Sequence, residues 1–272
     1  MQGRLLAAIL GLATTMCLSH WSASGGSSPA NARAETMIGL PVNDLSVRDM
    51  GAKQLVFSEE QDWLSFWNGH SQAPAPLVDF SRWRIAAVLL GPRPNPGYGV
   101  RFKSATVSEG RIALDFVELL PDPNLMYAQM IVYPFDVVAI PVGQPVDFIK
   151  EVRQRGKPRP AEQVQSRVLD TAGLSPPAEQ QYVLFADADP FAAFWRSHSK
   201  SSTPQVDLQQ TLVAGLLLPE TAPEVRLVRV EQTGDEVRVK MARGAMGPGR
   251  KSLLVVVPRA KRVDFGWDQS PF

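Results

Sequence analysis

The sequence predicts an α+β fold built as two tandem homologous domains, each a mostly antiparallel sheet of about five strands with one packed helix. Three observations carry that expectation. Residues 66–90 recur at 194–218 with a constant offset of 128 and no gap, and ten of the 25 aligned positions are identical. Each copy carries aromatic residues at i, i+3, i+4 (Trp63, Phe66, Trp67; Phe191, Phe194, Trp195), which makes one apolar helix face. The remaining apolar segments are short, bounded by turn residues and followed by no further helix able to carry parallel crossovers.

Taken in order, Met1 to Arg4 is a short basic start, LLAAILGLATTMCL (5–18) is an apolar run, and SHWSASGG turns small and polar. This is the pattern of a secretory signal, residues 1–24, cut after Ser24 or alternatively near ARA at 32–34. The apolar run falls short of the roughly 20 residues a membrane span needs, so no stable membrane insertion is expected after its removal. A periplasmic or extracellular location follows. Cys17, the single cysteine, lies in this segment behind Met16 rather than behind a small residue, which argues against a lipid anchor. The exported chain then has no thiol for disulfides, metal binding or nucleophilic catalysis. Lys plus Arg is 28 against 27 for Asp plus Glu, a balance that offers no field for nucleic acid.

An N-terminal segment (25–52) leads to domain 1 (53–149), a linker (150–179) and domain 2 (180–268). In domain 1, KQLVF (53–57) is a strand, and Ser58 with Gln61 forms a capping-box pattern for the aromatic helix. RIAAVLL (84–90) is a strand buried on both sides; 98–107 and 111–119 form an alternating pair, and 129–141 holds one or two final strands. In domain 2 the helix cap is Asp187 or Asp189. The offset drops from 128 to 125 at Val100/Val225 and to 117 at Ile140/Val257. The second copy is therefore 3 residues shorter across the loop after Leu90 and 8 shorter between Asp115 and Ile140. The linker is polar and proline-rich, with a solvated basic cluster (Arg153, Arg155, Lys157, Arg159) and one short helix near 161–171.

Candidate chemistry is sparse. His70 and His198 occupy equivalent helix C-termini, a structural placement in which the imidazole meets the macrodipole, and neither has a second ligand at metal spacing. The Val-Asp pairs ending at Asp79, Asp207, Asp147 and Asp264 stand at chain reversals or strand starts, where carboxylates accept backbone N–H bonds. GAMGPGRKS (244–252) interposes Arg250 between glycine and lysine and precedes a strand, so it is no phosphate loop. No catalytic residue, metal ligand or small-molecule cofactor is assigned, and the chain is expected not to be an enzyme. A glycan site on Trp63 or Trp83 is a weaker reading, since helical spacing puts Trp63 in the core.

GPRPNPGYGV (91–100) is the distinctive stretch: prolines restrict φ and hold a loop to few shapes, and the second copy replaces it with PETAPEV (219–225). One reading is a tight turn with Gly97 at positive φ and Tyr98 on the sheet. The other is a rigid recognition loop presenting Arg93, Pro94, Asn95, Pro96, Gly97 and Tyr98 at low ordering cost.

Val78-Asp79-Phe80, Gly91, Arg93-Pro94, Gly97-Tyr98, Tyr133-Pro134 and Ile140-Pro141 together resemble the C-terminal domain of the PrcB family over about residues 53–141. The resemblance implies an envelope or surface accessory protein that binds and stabilises another protein, such as a protease, and it supplies no catalytic residues. The second copy lacks the Gly-Tyr loop, so it inherits no partner-binding role. The expected function is an exported non-enzymatic binding module whose partner is an envelope protein or protease. The alternative is a protease inhibitor, because a stiff loop ending in Gly-Tyr is also similar to those of chagasin-type inhibitors.

Overall fold

The computed structural model describes residues 32–244 and 250–268. The segment 1–24, expected to be a secretory signal, with Cys17, and the middle of the 244–252 loop lie outside the described residues, which fall in one compact unit. The first half contributes β1 (Arg33–Glu35), β2 (Met37–Gly39), β3 (Lys53–Phe57), α1 (Glu60–Asn68), β4 (Leu77–Val78), β5 (Trp83–Leu89), β6 (Gly99–Ser108), β7 (Arg111–Leu120), β8 (Phe135–Pro141) and β9 (Val146–Gln154). The second contributes β10 (Glu162–Gln163), β11 (Arg167–Val168), β12 (Gln181–Phe185), α2 (Ala188–His198), β13 (Thr211–Leu217), β14 (Val225–Thr233), β15 (Glu236–Arg243), β16 (Ser252–Pro258) and β17 (Arg262–Trp267).

The α+β class holds, but the strands are not arranged as one five-stranded sheet per half. They form sheets of four (β1-β6-β7-β9), eight (β10-β14-β15-β17-β2-β8-β5-β3) and five strands (β11-β16-β13-β12-β4). Most pairs are antiparallel, yet β7 runs parallel to β9 and β15 to β17. A parallel pair needs a crossover. Here the crossing element is a strand, β8 or β16, that lies in a different sheet, so no helix is required.

The pairings recur between halves. β3·β5, β5·β8, β6·β7 and β7·β9 have the same orientations as β12·β13, β13·β16, β14·β15 and β15·β17. Even the register shift between Phe102 and Ser104 returns between Leu227 and Arg229. Residues 161–171, expected to be helical, instead place β10 on β14 and β11 on β16, as β1 sits on β6 and β2 on β8. Edge pairing outweighed the weak helical propensity of this proline-flanked stretch.

The aromatic helices pack as their spacing predicts. Trp63 and Trp67 are buried, and their indole N–H groups donate to the Pro76 and Ala73 carbonyls at 2.9 and 2.6 Å. Trp83 is buried as well, so neither Trp63 nor Trp83 offers a glycan platform. Neither helix is capped by a side chain. The N-cap of α1 is Glu59 rather than Ser58; that of α2 is Asp187, whose carboxylate accepts from Arg33 at 3.1 Å. On β5, Ile85, Ala87 and Leu89 face the core that includes Trp63 and Trp67, while Ala86 and Val88 face a second core with Phe102, Ile112, Leu114 and Phe116. Helix, sheet and sheet thus form three layers, and β5 must be apolar on both faces.

The halves share hydrogen bonds. β17 runs parallel to β2, and β12 parallel to β4. At the first junction Arg262, 3% exposed, donates from Nε to Asp264 at 2.6 Å and from Nη2 to Asp136 of β8 at 2.9 Å, with Nη1 on Asp136 too. Asp264 also accepts from Arg101. A Cβ on Gly39 would stand 1.8 Å from Asp264 Oδ1 and 2.9 Å from Arg262 Nε, so glycine alone lets β2 approach. Asp264, expected to serve a turn, is instead the centre of a buried charge cluster. Burial works against its ionisation, but Arg262 and Arg101 outweigh that and hold its pKa down at about 2, against an ordinary 3.8.

Two predictions follow from this cluster. Arg262→Ala leaves two carboxylates buried beside each other and lowers the unfolding free energy by about 3–5 kcal/mol, measured by urea denaturation. Because the folded pKa of Asp264 lies below the unfolded one, its stabilisation is complete above pH 4 and is lost as pH falls towards 2. Urea midpoints measured across that window should fall in the wild type and fall less in Arg262→Ala.

Candidate functional site

The two places where the first half is longer than the second lie side by side. Arg93 and Val132 exchange backbone hydrogen bonds at 2.8 and 2.9 Å, and Leu90 N–H donates to Pro134 at 3.0 Å. The loop 91–100 is thereby zipped to the segment 121–134, between β5 and β8.

Within 91–100 most side chains that sequence reasoning offered to a partner are engaged internally. Arg93 donates to Glu118 of β7 from Nε and Nη2 at 3.1 and 2.9 Å and to the Leu90 carbonyl from Nη1 at 2.8 Å. Lys150 of β9 also pairs with Glu118. Burial would raise the Glu118 carboxyl, but hydrogen bonds from Lys150 and Arg93 leave it below its usual range. Arg93 is thus a strut between loop and sheet, and the Tyr98 ring, half-buried, lies 6.0 Å from its guanidinium.

Asn95 Oδ1 accepts the Gly97 N–H at 3.0 Å, a local turn. Gly97 is buried, and its carbonyl accepts from Arg155 Nε at 2.9 Å. Arg155, expected in a solvated cluster, is a second clamp on the loop. Positive φ occurs at Gly91 (72°), not at Gly97. Gly97 is needed for a different reason: a Cβ there would stand 2.8 Å from Pro121 Cβ and from Tyr127 Cζ. Of the six residues singled out in the sequence, Pro94 and Pro96 are exposed, next to exposed Pro92.

The apolar surface lies on the adjoining segment. Leu125, Met126, Met130 and Ile131 are exposed, Met126 at 101% and Ile131 at 63%. Asp122 accepts the Asn124 N–H at 2.9 Å and the Tyr127 hydroxyl accepts the Asp122 N–H at 3.1 Å, so the segment has a defined shape. Solvent-facing methionine and leucine on an anchored segment suit a protein contact, because flexible thioethers adapt to a partner surface. Sequence reasoning missed these four residues. Their signal was the eight-residue excess between Asp115 and Ile140, together with apolar residues that follow neither strand nor helix period.

The other groups singled out in the sequence make local bonds. His70 and His198 each bond through Nδ1 to the carbonyl four residues back, Phe66 at 2.7 Å and Phe194 at 2.9 Å, and lie against those rings. Asp79 and Asp207 accept the N–H two residues on, from Ser81 and Gln209, both at 3.0 Å. Asp147 pairs with Arg111. Among the described residues no three His, Cys, Asp or Glu side chains are placed to hold a metal ion, and no helix is long and apolar enough to cross a membrane.

Residues 85–141 match the family model described as PrcB C-terminal. The match runs from β5 through β8 and includes both loops of the site. No curated protein and no solved structure matches the chain.

Gly97→Ala tests the clamp. The added methyl has no room, so the cost is about 1–3 kcal/mol, and 121–134 loses its seat. Limited proteolysis should then nick the variant within 121–134 faster than the wild type, while far-UV circular dichroism stays the same.

Proposed function

We propose that the chain is an exported, non-enzymatic accessory module that binds an envelope protein or protease through the face formed by Pro92, Pro94, Pro96, Leu125, Met126, Met130 and Ile131. The match over residues 85–141 supports a protease-associated accessory module. The observation that carries the location of the face is the run of exposed apolar side chains on a segment clamped to the loop 91–100. Apolar groups held in place bind with a smaller entropic loss than the same groups on a free loop.

In the second half the corresponding connections are 3 and 8 residues shorter and lack the Gly-Tyr sequence, and its role in this reading is scaffold. Its recurring strand pairing, with the aligned identities, is read as a duplication of the whole unit, the N-terminal segment included. An inhibitor inserting Gly97-Tyr98 into a protease cleft is disfavoured, because Gly97 lies beneath Pro121 and Tyr127.

The test is affinity capture from envelope extract with the tagged chain and with a Met126→Asp/Ile131→Asp variant. Both positions face solvent, so the melting temperature should not change. The expected result is a partner, identified by mass spectrometry, that the wild type retains and the variant loses. A partner retained equally by both overturns the location of the face, and inhibition of purified proteases by the wild type but not by Gly97→Ala would favour the inhibitor.

A further inference from the structure

The recurring pairing scheme makes one edge conspicuous. In the second half the outer edge of β17 is covered by β2. Its counterpart in the first half, β9, ends the four-stranded sheet and pairs on one side only, with β7, among the described residues. Ile112 N–H donates to the Pro145 carbonyl and Arg155 N–H to the Leu120 carbonyl, so by alternation Val146, Phe148, Lys150, Val152 and Gln154 turn their backbone groups to the open side. A nine-residue strand with a free edge is a ready template for another strand. It also carries exposed apolar residues, Ile149 at 49% and Val152 at 54%.

We propose that β9 is a homodimer interface, pairing antiparallel with β9 of a second copy across a two-fold axis at Lys150. In that register VDFIKEVRQ brings complementary residues together at two positions on each side of the axis. Asp147 faces Arg153 of the second copy and Arg153 faces its Asp147. Phe148 meets Val152 on the core-side face, again twice. Opposite charges and apolar pairs directly across a ladder stabilise it, and the five outward-facing residues meet as hydrogen-bonded pairs. The two Lys150 side chains on the axis each turn to their own Glu118. A head-to-tail arrangement, in which β11 of a second copy would cover β9 as β2 covers β17, is less suitable: the covering strand at β17 is Met37-Ile38-Gly39, whereas its counterpart at β11 is Ser166-Arg167-Val168, with Ser166 and Arg167 exposed, which leaves the closed two-fold pair. The result is one continuous eight-stranded sheet, closed by symmetry, with both exposed strands covered.

The test uses the full chain without its first 24 residues, in analytical ultracentrifugation through the micromolar range. The wild type should rise towards twice the mass of one chain. Asp147→Arg and Arg153→Asp each place like charges in both contacts and should stay at monomer mass, with unchanged circular dichroism because both side chains are at the surface. Mixed together, the two variants restore both opposite-charge contacts and should regain the doubled mass. As an independent readout, Lys150→Cys puts two thiols on the axis. The paired Cα atoms would lie about 5.5 Å apart, inside the roughly 4.4–6.8 Å range of a disulfide, so oxidation should give a covalent dimer. A wild type that stays monomeric throughout, or variants that fail to regain the doubled mass when mixed, overturns the proposal; pairing of β9 with another protein's strand is the reading then left.

Discussion

The molecule depends on one buried guanidinium. Arg262 stands on β17 of the second half and is held by Asp264 on its own strand and Asp136 on β8 of the first half. Burying a charge is costly unless its hydrogen bonds are met, and here the two carboxylates and the Phe102 carbonyl meet them. β2 fits between β8 and β17 because Gly39 leaves room for that cluster. What the sequence presents as two domains is in consequence a single body, with an eight-stranded sheet drawn from both halves.

That body explains the placement of the candidate site. β5 and β8 are buried on both faces, so the chain leaving β5 and entering β8 starts from rigid positions. The loops 91–100 and 121–134 grow from those two ends and are fastened to each other and to β7 and β9 through Arg93, Glu118, Lys150 and Arg155. The charged residues of the site thus act as fixings. The side chains left exposed there include proline, leucine, methionine and isoleucine.

Much of this was legible in the sequence and some was not, for physical reasons. The aromatic helix face, the doubly buried strand at 84–90 and the hairpin at 98–119 followed from local periodicity, which records burial directly. The parallel pairs did not, because the crossing strands β8 and β16 belong to other sheets and nothing local marks that. Asp264 read as turn chemistry since its partner Arg101 is 163 residues away, and Arg262, whose other carboxylate Asp136 is 126 residues away, looks like any surface arginine. Arg93 was read as a contact residue because arginine is common at interfaces; its role as a strut depends on Glu118, 25 residues on. The exposed Met126 and Ile131 were passed over because an apolar residue in an unpatterned segment gives no hint of which way it faces.

The interlocking of the two halves is tested most directly by native-state hydrogen exchange. If Arg262 and the β2–β17 junction join them into one cooperative unit, the slowest amides of β5 and of β13 open with the same free energy and share the same denaturant dependence. Two separate values, one for each half, would contradict the account.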